Sequence, residues 1–156
     1  MKPFKFKLES VLTLRERAET EAQQHHAAAG RRLETTLAEL NEAEEELKRL
    51  TEQLACVQRS SFRPAEREIL WNASKYQQEL CARLTLKAET ARKDLEEKRQ
   101  ALLDARRDHE AMMKMEEKDL QEHTRLAQQE ERSMVDDIVS ARHGANRRQG
   151  GSEANL

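Results

Sequence analysis

Apolar residues along this chain recur at spacings of three and four. Leu33, Thr36, Leu40, Ala43, Leu47, Leu50, Leu54 and Val57 hold that alternation through about four heptads. It is the seam of a helix that packs along another helix. Upstream the seam runs through Val11, Arg15, Ala18, Ala22, His25 and Ala29. Joining the two frames at Ala29 takes two consecutive fours, a stutter beside Gly30. A second series follows Ile69, Ala73, Tyr76, Leu80, Leu84, Ala88, Ala91, Leu95, Lys98, Leu102, Ala105, His109 and Met112. It stutters too, with fours from Tyr76 to Ala88. The stripe continues irregularly through Leu120, Ala127, Met134 and Ile138.

Helix breakers divide these series. Proline occurs only at 3 and 64, and glycine only at 30, 144, 150 and 151. Pro64 suits the first turn of a helix and pushes Arg63 out of the α region. Ser60 and Ser61 supply turn chemistry before it. The pattern predicts helices over 7–59 and 65–142, a turn at 60–63 and a disordered polar tail over 143–156. The fold class is therefore all-α: a long antiparallel two-helix coiled-coil hairpin over 1–142, with an overhanging C-terminal helix. A turn at 60–63 makes facing residue numbers sum to about 123, with a paired shaft of about 75 Å. Everything after about residue 118 then lacks a partner, an overhang of about 24 residues or 36 Å.

Composition supports this. Charged residues make up 37% of the 156 and aromatics only 3%, the profile of a long helix. The near-neutral net charge of −2 and the recurring Leu/Ala pattern argue against wholesale disorder. With a pI of about 6.3 and interspersed charges, the chain has no basic stripe for nucleic acid. No apolar run is long enough to span a bilayer, and the basic N-terminus lacks a signal-like apolar core. Lys2, Lys5, Lys7, Arg15 and Arg17 are largely offset by Glu9, Glu16, Glu19 and Glu21, so attraction to anionic lipid is modest.

Candidate chemistry is sparse. Cys56 and Cys81 fall far apart in the register and read as small semi-buried thiols in a reducing setting. His25 and His26 are adjacent, about 100° apart on a helix, and no nearby set completes a zinc site; His109 and His123 are remote from them. The run "NEAEEELKRL" reads as a solvated face with Glu44–Lys48 and Glu45–Arg49 pairs. Met112, Met113 and Met115 fill gaps in the seam or serve an adaptable surface. The sequence has no phosphate loop, no nucleophile elbow and no His–carboxylate pair that the fold would bring together in a pocket, so neither enzyme activity nor a cofactor is expected.

The aromatics are the informative class. Phe4 and Phe6 open the chain; Phe62, Trp71 and Tyr76 lie at or just after the turn. A seam of Leu and Ala does not need rings at both ends, so they suggest one contact zone per end, with Phe62 also able to plug the turn.

The opening "FKFKLESVLTLRERAE" resembles the start of the FliJ family of the bacterial flagellar type III export apparatus. Phe4, Phe6, Leu8, Val11, Leu12, Leu14, Arg15 and Glu16 carry the likeness, and "WNASKYQQEL" is similar to the family's aromatic segment beyond its loop. The resemblance implies a noncatalytic stalk, similar to the central shaft of rotary ATP synthases, seated in the hexameric export ATPase ring. It implies promotion of ATPase assembly and activity, contact with the export gate membrane protein and with export chaperones, and a cytoplasmic place at the inner membrane held through those partners. Carried over, ATPase contact falls to Phe4, Phe6, Leu8, Val11, Leu12, Leu120, Met134 and Ile138. Gate contact falls to Trp71, Tyr76, Leu80 and Leu84, with Glu79 and Arg83 departing from a more apolar family surface. An injectisome-type secretion stalk and a generic coiled-coil scaffold are the alternatives.

Overall fold

The computed structural model of the chain describes residues 3–59 and 63–150. Two helices pack against each other, α1 over Glu9–Arg59 and α2 over Pro64–Gly150, and the described residues contain no strand. The expected turn at 60–63 lies, Arg63 apart, outside the described residues. So does the end of the expected tail, 151–156, while α2 continues as helix past 142 to Gly150.

Each helix start has a local cause. The Leu8 carbonyl accepts hydrogen bonds from the amides of Val11 and Leu12, both at 2.9 Å, and Glu9 places an acid in the positive first turn of α1. The Arg63 carbonyl accepts from the Glu66 amide at 3.1 Å. Pro64 then occupies the first helical position, where its missing N–H costs nothing, and Glu66 sits in the first turn.

Contacts group the chain into two units: Glu16–Arg107, and the N-terminal residues through Arg15 together with the residues from Asp108 onward. In the Glu16–Arg107 unit the helices run antiparallel. Arg106 Nε pairs with Glu19 at 3.3 Å, Lys87 Nζ with Glu39 at 3.2 Å, and Gln77 with Ala43 at 3.0 Å. In the other unit Arg15 meets Asp108 at 2.8 Å and Phe4 meets His123. All five pairs lie within about one helical turn of the expected register.

The seam of α1 is buried or half-buried from Leu33 through Val57 at the expected positions. Ala29 and Ala43, at 3% and 5% exposed, are better covered than the half-buried leucines between them. A single facing helix covers a methyl completely, whereas a leucine reaches past its edge. Thr36 is tolerated at 4% exposure because its hydroxyl donates to the Arg32 carbonyl at 2.9 Å.

Two details of the seam differ from expectation. In α1 it passes through half-buried His26 while His25 and Arg15 are exposed, so no stutter falls at Ala29. The fours lie earlier, from Ala18 through Ala22 to His26. In α2 Ile69 and Tyr76 are 68% and 61% exposed. The seam runs instead through Leu70, Ser74, Gln77, Cys81, Leu84 and Ala88, an unbroken alternation of four and three. The apparent stutter arose from following large apolar side chains past two polar ones that the partner helix covers. Both frames are compatible with helix, and only the facing surface chooses between them.

Candidate functional site

The first residues answer to a period of two. Phe4 is half-buried, Lys5 exposed, Phe6 buried and Lys7 exposed. Such alternation belongs to extended backbone, and helix begins only at Glu9. Phe6, at 6% exposure, is packed against its own chain. The Phe4 ring meets the His123 ring edge-on, with centroids 5.6 Å apart and planes at 64°. Extended backbone advances about 3.3 Å per residue against about 1.5 Å in a helix, so this short segment covers roughly twice as many α2 positions as helix would. Cover consequently reaches beyond the expected limit near residue 118, to half-buried His123 and Ala127.

Past that point α2 carries apolar side chains in water. Residues 128–143 are all exposed. Leu120 is 45% exposed, Met134 69%, Ile138 55% and Leu8 38%, and Val11 and Leu12 are half-buried. Val135 and Val139, 53% and 47% exposed, join Met134 and Ile138. They were not singled out in the sequence because one stripe at heptad spacing accounts for Met134 and Ile138 alone; the i, i+1, i+4, i+5 pattern was the available signal. Met112 is on the seam, and Met113 and Met115 face solvent.

In the Glu16–Arg107 unit, Trp71 is 55% exposed with the Lys75 ammonium 5.6 Å from its ring centroid. Tyr76 is exposed, and Leu80 and Leu84 are half-buried. Tyr76 lies five positions after Trp71, which turns them about 140° apart on a helix. The four expected gate residues thus divide into Tyr76, Leu80 and Leu84 on neighbouring rows, and Trp71 on another side. Phe62 lies outside the described residues.

Other candidates resolve simply. Cys56 is exposed rather than semi-buried, and Cys81 is half-buried in the seam. Arg49 pairs with Glu46 at 3.3 Å, three residues away, in place of the expected Glu45; Glu44–Lys48 is not among the ion pairs of the described residues. Glu46 and Glu45, three and four residues before Arg49, are both neighbours of it on the helix surface. Among the described residues there is no group of three metal-ligating side chains, and no helix is long and apolar enough to cross a membrane.

Neither the curated proteins nor the solved structures provide a match to this chain. A family model does: that of the flagellar FliJ protein, over residues 4–148. The match begins at the Phe4 clasp and takes in both helices. The chain therefore belongs to the FliJ family, nonenzymatic components of the flagellar export apparatus.

Proposed function

We propose that this chain is the noncatalytic coiled-coil stalk of the flagellar type III protein export apparatus. It inserts into the hexameric export ATPase ring, links that ring to the export gate membrane protein, and promotes ATPase assembly, ATP turnover and substrate export. Export chaperones are further partners. The chain works at the cytoplasmic face of the inner membrane, held there by its partners.

The observation that carries this reading is the exposure of Met134, Val135, Ile138 and Val139 on a helix that continues beyond its own partner's reach. A helix with a bare apolar face is marginal in water and calls for a socket. Leu8, Leu120, Met134 and Ile138 then make the ATPase contact together with the rim of Phe4, while Val11 and Leu12 support them. Phe6, being buried, serves that contact by holding the N-terminal segment in place. On the Glu16–Arg107 unit, Tyr76, Leu80 and Leu84 form the gate-facing patch, and Trp71 stands apart from it.

Mixing the purified chain with its cognate ATPase tests the proposal by hexamer formation and ATP turnover. The stalk raises both. Concentration-dependent self-association with no effect on the ATPase identifies a generic scaffold and removes the stalk reading.

A further inference from the structure

Beyond Ala127, α2 presents a strip that the chain itself leaves bare. Met134, Val135, Ile138 and Val139 crowd four large apolar side chains into six positions, all about half exposed or more. Their spacing makes two adjacent ridges about 100° apart, wider than the single seam that one helix needs.

Charge decides what fits there. Glu130, Glu131, Asp136 and Asp137 accompany the strip, against Arg132 and Arg142 over the exposed residues 128–143. None of the four carboxylates takes part in the ion pairs of the described residues. Glu130 and Asp137, seven residues apart, line one edge beside Met134. Glu131 stands in line with the strip, four residues before Val135. A second copy in parallel alignment brings every carboxylate against its own equivalent. An antiparallel copy centred on the strip sets Glu131 against Arg142 but leaves Asp137 level with Asp136 and gives Glu130 no arginine or lysine opposite. An anionic lipid surface meets the same repulsion. A partner with apolar residues flanked by lysine or arginine satisfies both the ridges and the carboxylates.

We infer that residues 127–141 of α2 are a docking strip for a basic amphipathic helix of another protein. Its apolar face lies on Met134, Val135, Ile138 and Val139, and its cations lie against Glu130, Glu131 and Asp137. This deepens the stalk reading, on which it rests, by giving the chemistry of the surface that receives this end of α2.

Two synthetic helical peptides test it on the full-length chain. They share leucine positions; one is flanked by lysines and the other by glutamates. Binding followed by fluorescence anisotropy at low salt favours the lysine peptide by about tenfold or more, and added salt shrinks the margin. The triple variant Glu130→Lys, Glu131→Lys, Asp137→Lys inverts the preference with unchanged helical content by circular dichroism. Met134→Ser with Ile138→Ser weakens the lysine peptide. Equal binding of the two peptides, no binding, or a preference that survives charge reversal overturns the inference. So does a dimer in sedimentation that Met134→Ser with Ile138→Ser dissolves. ATP turnover of the cognate ATPase, measured on the same proteins, separates the two readings. Charge-selective binding without stimulation removes the stalk and keeps the strip. Stimulation without charge-selective binding keeps the stalk and removes the strip.

Discussion

Gln77 of α2 reaches across the seam and donates from its side-chain Nε2 to the backbone carbonyl of Ala43 in α1, at 3.0 Å. Both residues are buried, at 9% and 5% exposure. The neighbouring seam is Leu, Ala, Ser and Cys, so this is a directional contact in an otherwise sliding interface. Apolar packing tolerates a shift by a heptad; a hydrogen bond at one position does not.

Replacement of Gln77 by Leu is therefore expected to leave stability within about 1 kcal/mol or raise it, because a buried amide contributes little net free energy. The cost appears in register. In a cysteine-free background, spin labels at positions 39 and 87, where Lys87 now meets Glu39 at 3.2 Å, give one distance for the wild-type residue and a broadened or second distance for Leu. A single unchanged distance means that Gln77 does not set the register.

Phe6 is the buried fastener of the N-terminal segment. A core Phe→Ala change costs about 3–5 kcal/mol when the whole fold depends on it. Here the segment can leave without unfolding a helix, so the global cost is limited to local undocking. Phe6→Ala should leave the melting transition nearly unchanged while speeding tryptic cleavage after Lys5 and Lys7 by about tenfold or more, in keeping with local opening. Equal cleavage rates would show that the segment is not held by Phe6.

Gly30 lies inside α1, and a methyl placed on it meets nothing within 4 Å. Gly30→Ala should thus stabilise the chain by about 0.5–1 kcal/mol through lower unfolded-state entropy and better helix propensity. Urea unfolding measures it. A loss of stability would reveal that the glycine serves a bend or a close approach in solution.

Arg15 and Asp108 make the shortest ion pair among the described residues, 2.8 Å, yet both side chains are about half exposed. Water and salt screen such a pair, so a double-mutant cycle with Arg15→Ala and Asp108→Ala should give a coupling of no more than about 1 kcal/mol. A coupling well above that would mean that the pair is sequestered from solvent.

Tyr76 and Trp71 face different sides of α2, and their effects on gate binding should separate. Tyr76→Ala, next to Leu80 and Leu84, is expected to weaken binding of the gate protein by about tenfold, as a central aromatic anchor would. Trp71→Ala should change it less than about twofold, the range of a contact outside the central patch. Titration by calorimetry distinguishes them, and an equal loss from both would refute a single gate-facing side.

The heptad series, the absence of breakers between Ala65 and His143, and Pro64 were enough to read two helices, the seam of α1 from Leu33 to Val57 and the antiparallel register. These depend on local propensity and on a periodicity that a single chain displays. Other features depend on what stands opposite. His26 rather than His25, and Gln77 and Cys81 rather than Tyr76, enter the seam because the partner helix selects among frames that are equally helical. A polar Gln is admitted only where a carbonyl such as that of Ala43 is within reach. Phe4 and Phe6 stood out in the sequence as an alternating pair, but their burial required α2 to lie beneath an extended segment, whose greater rise per residue carries it to His123. Local sequence chose the helices; the facing surface chose which side chains they bury, since burial belongs to a pair of surfaces and not to either one alone.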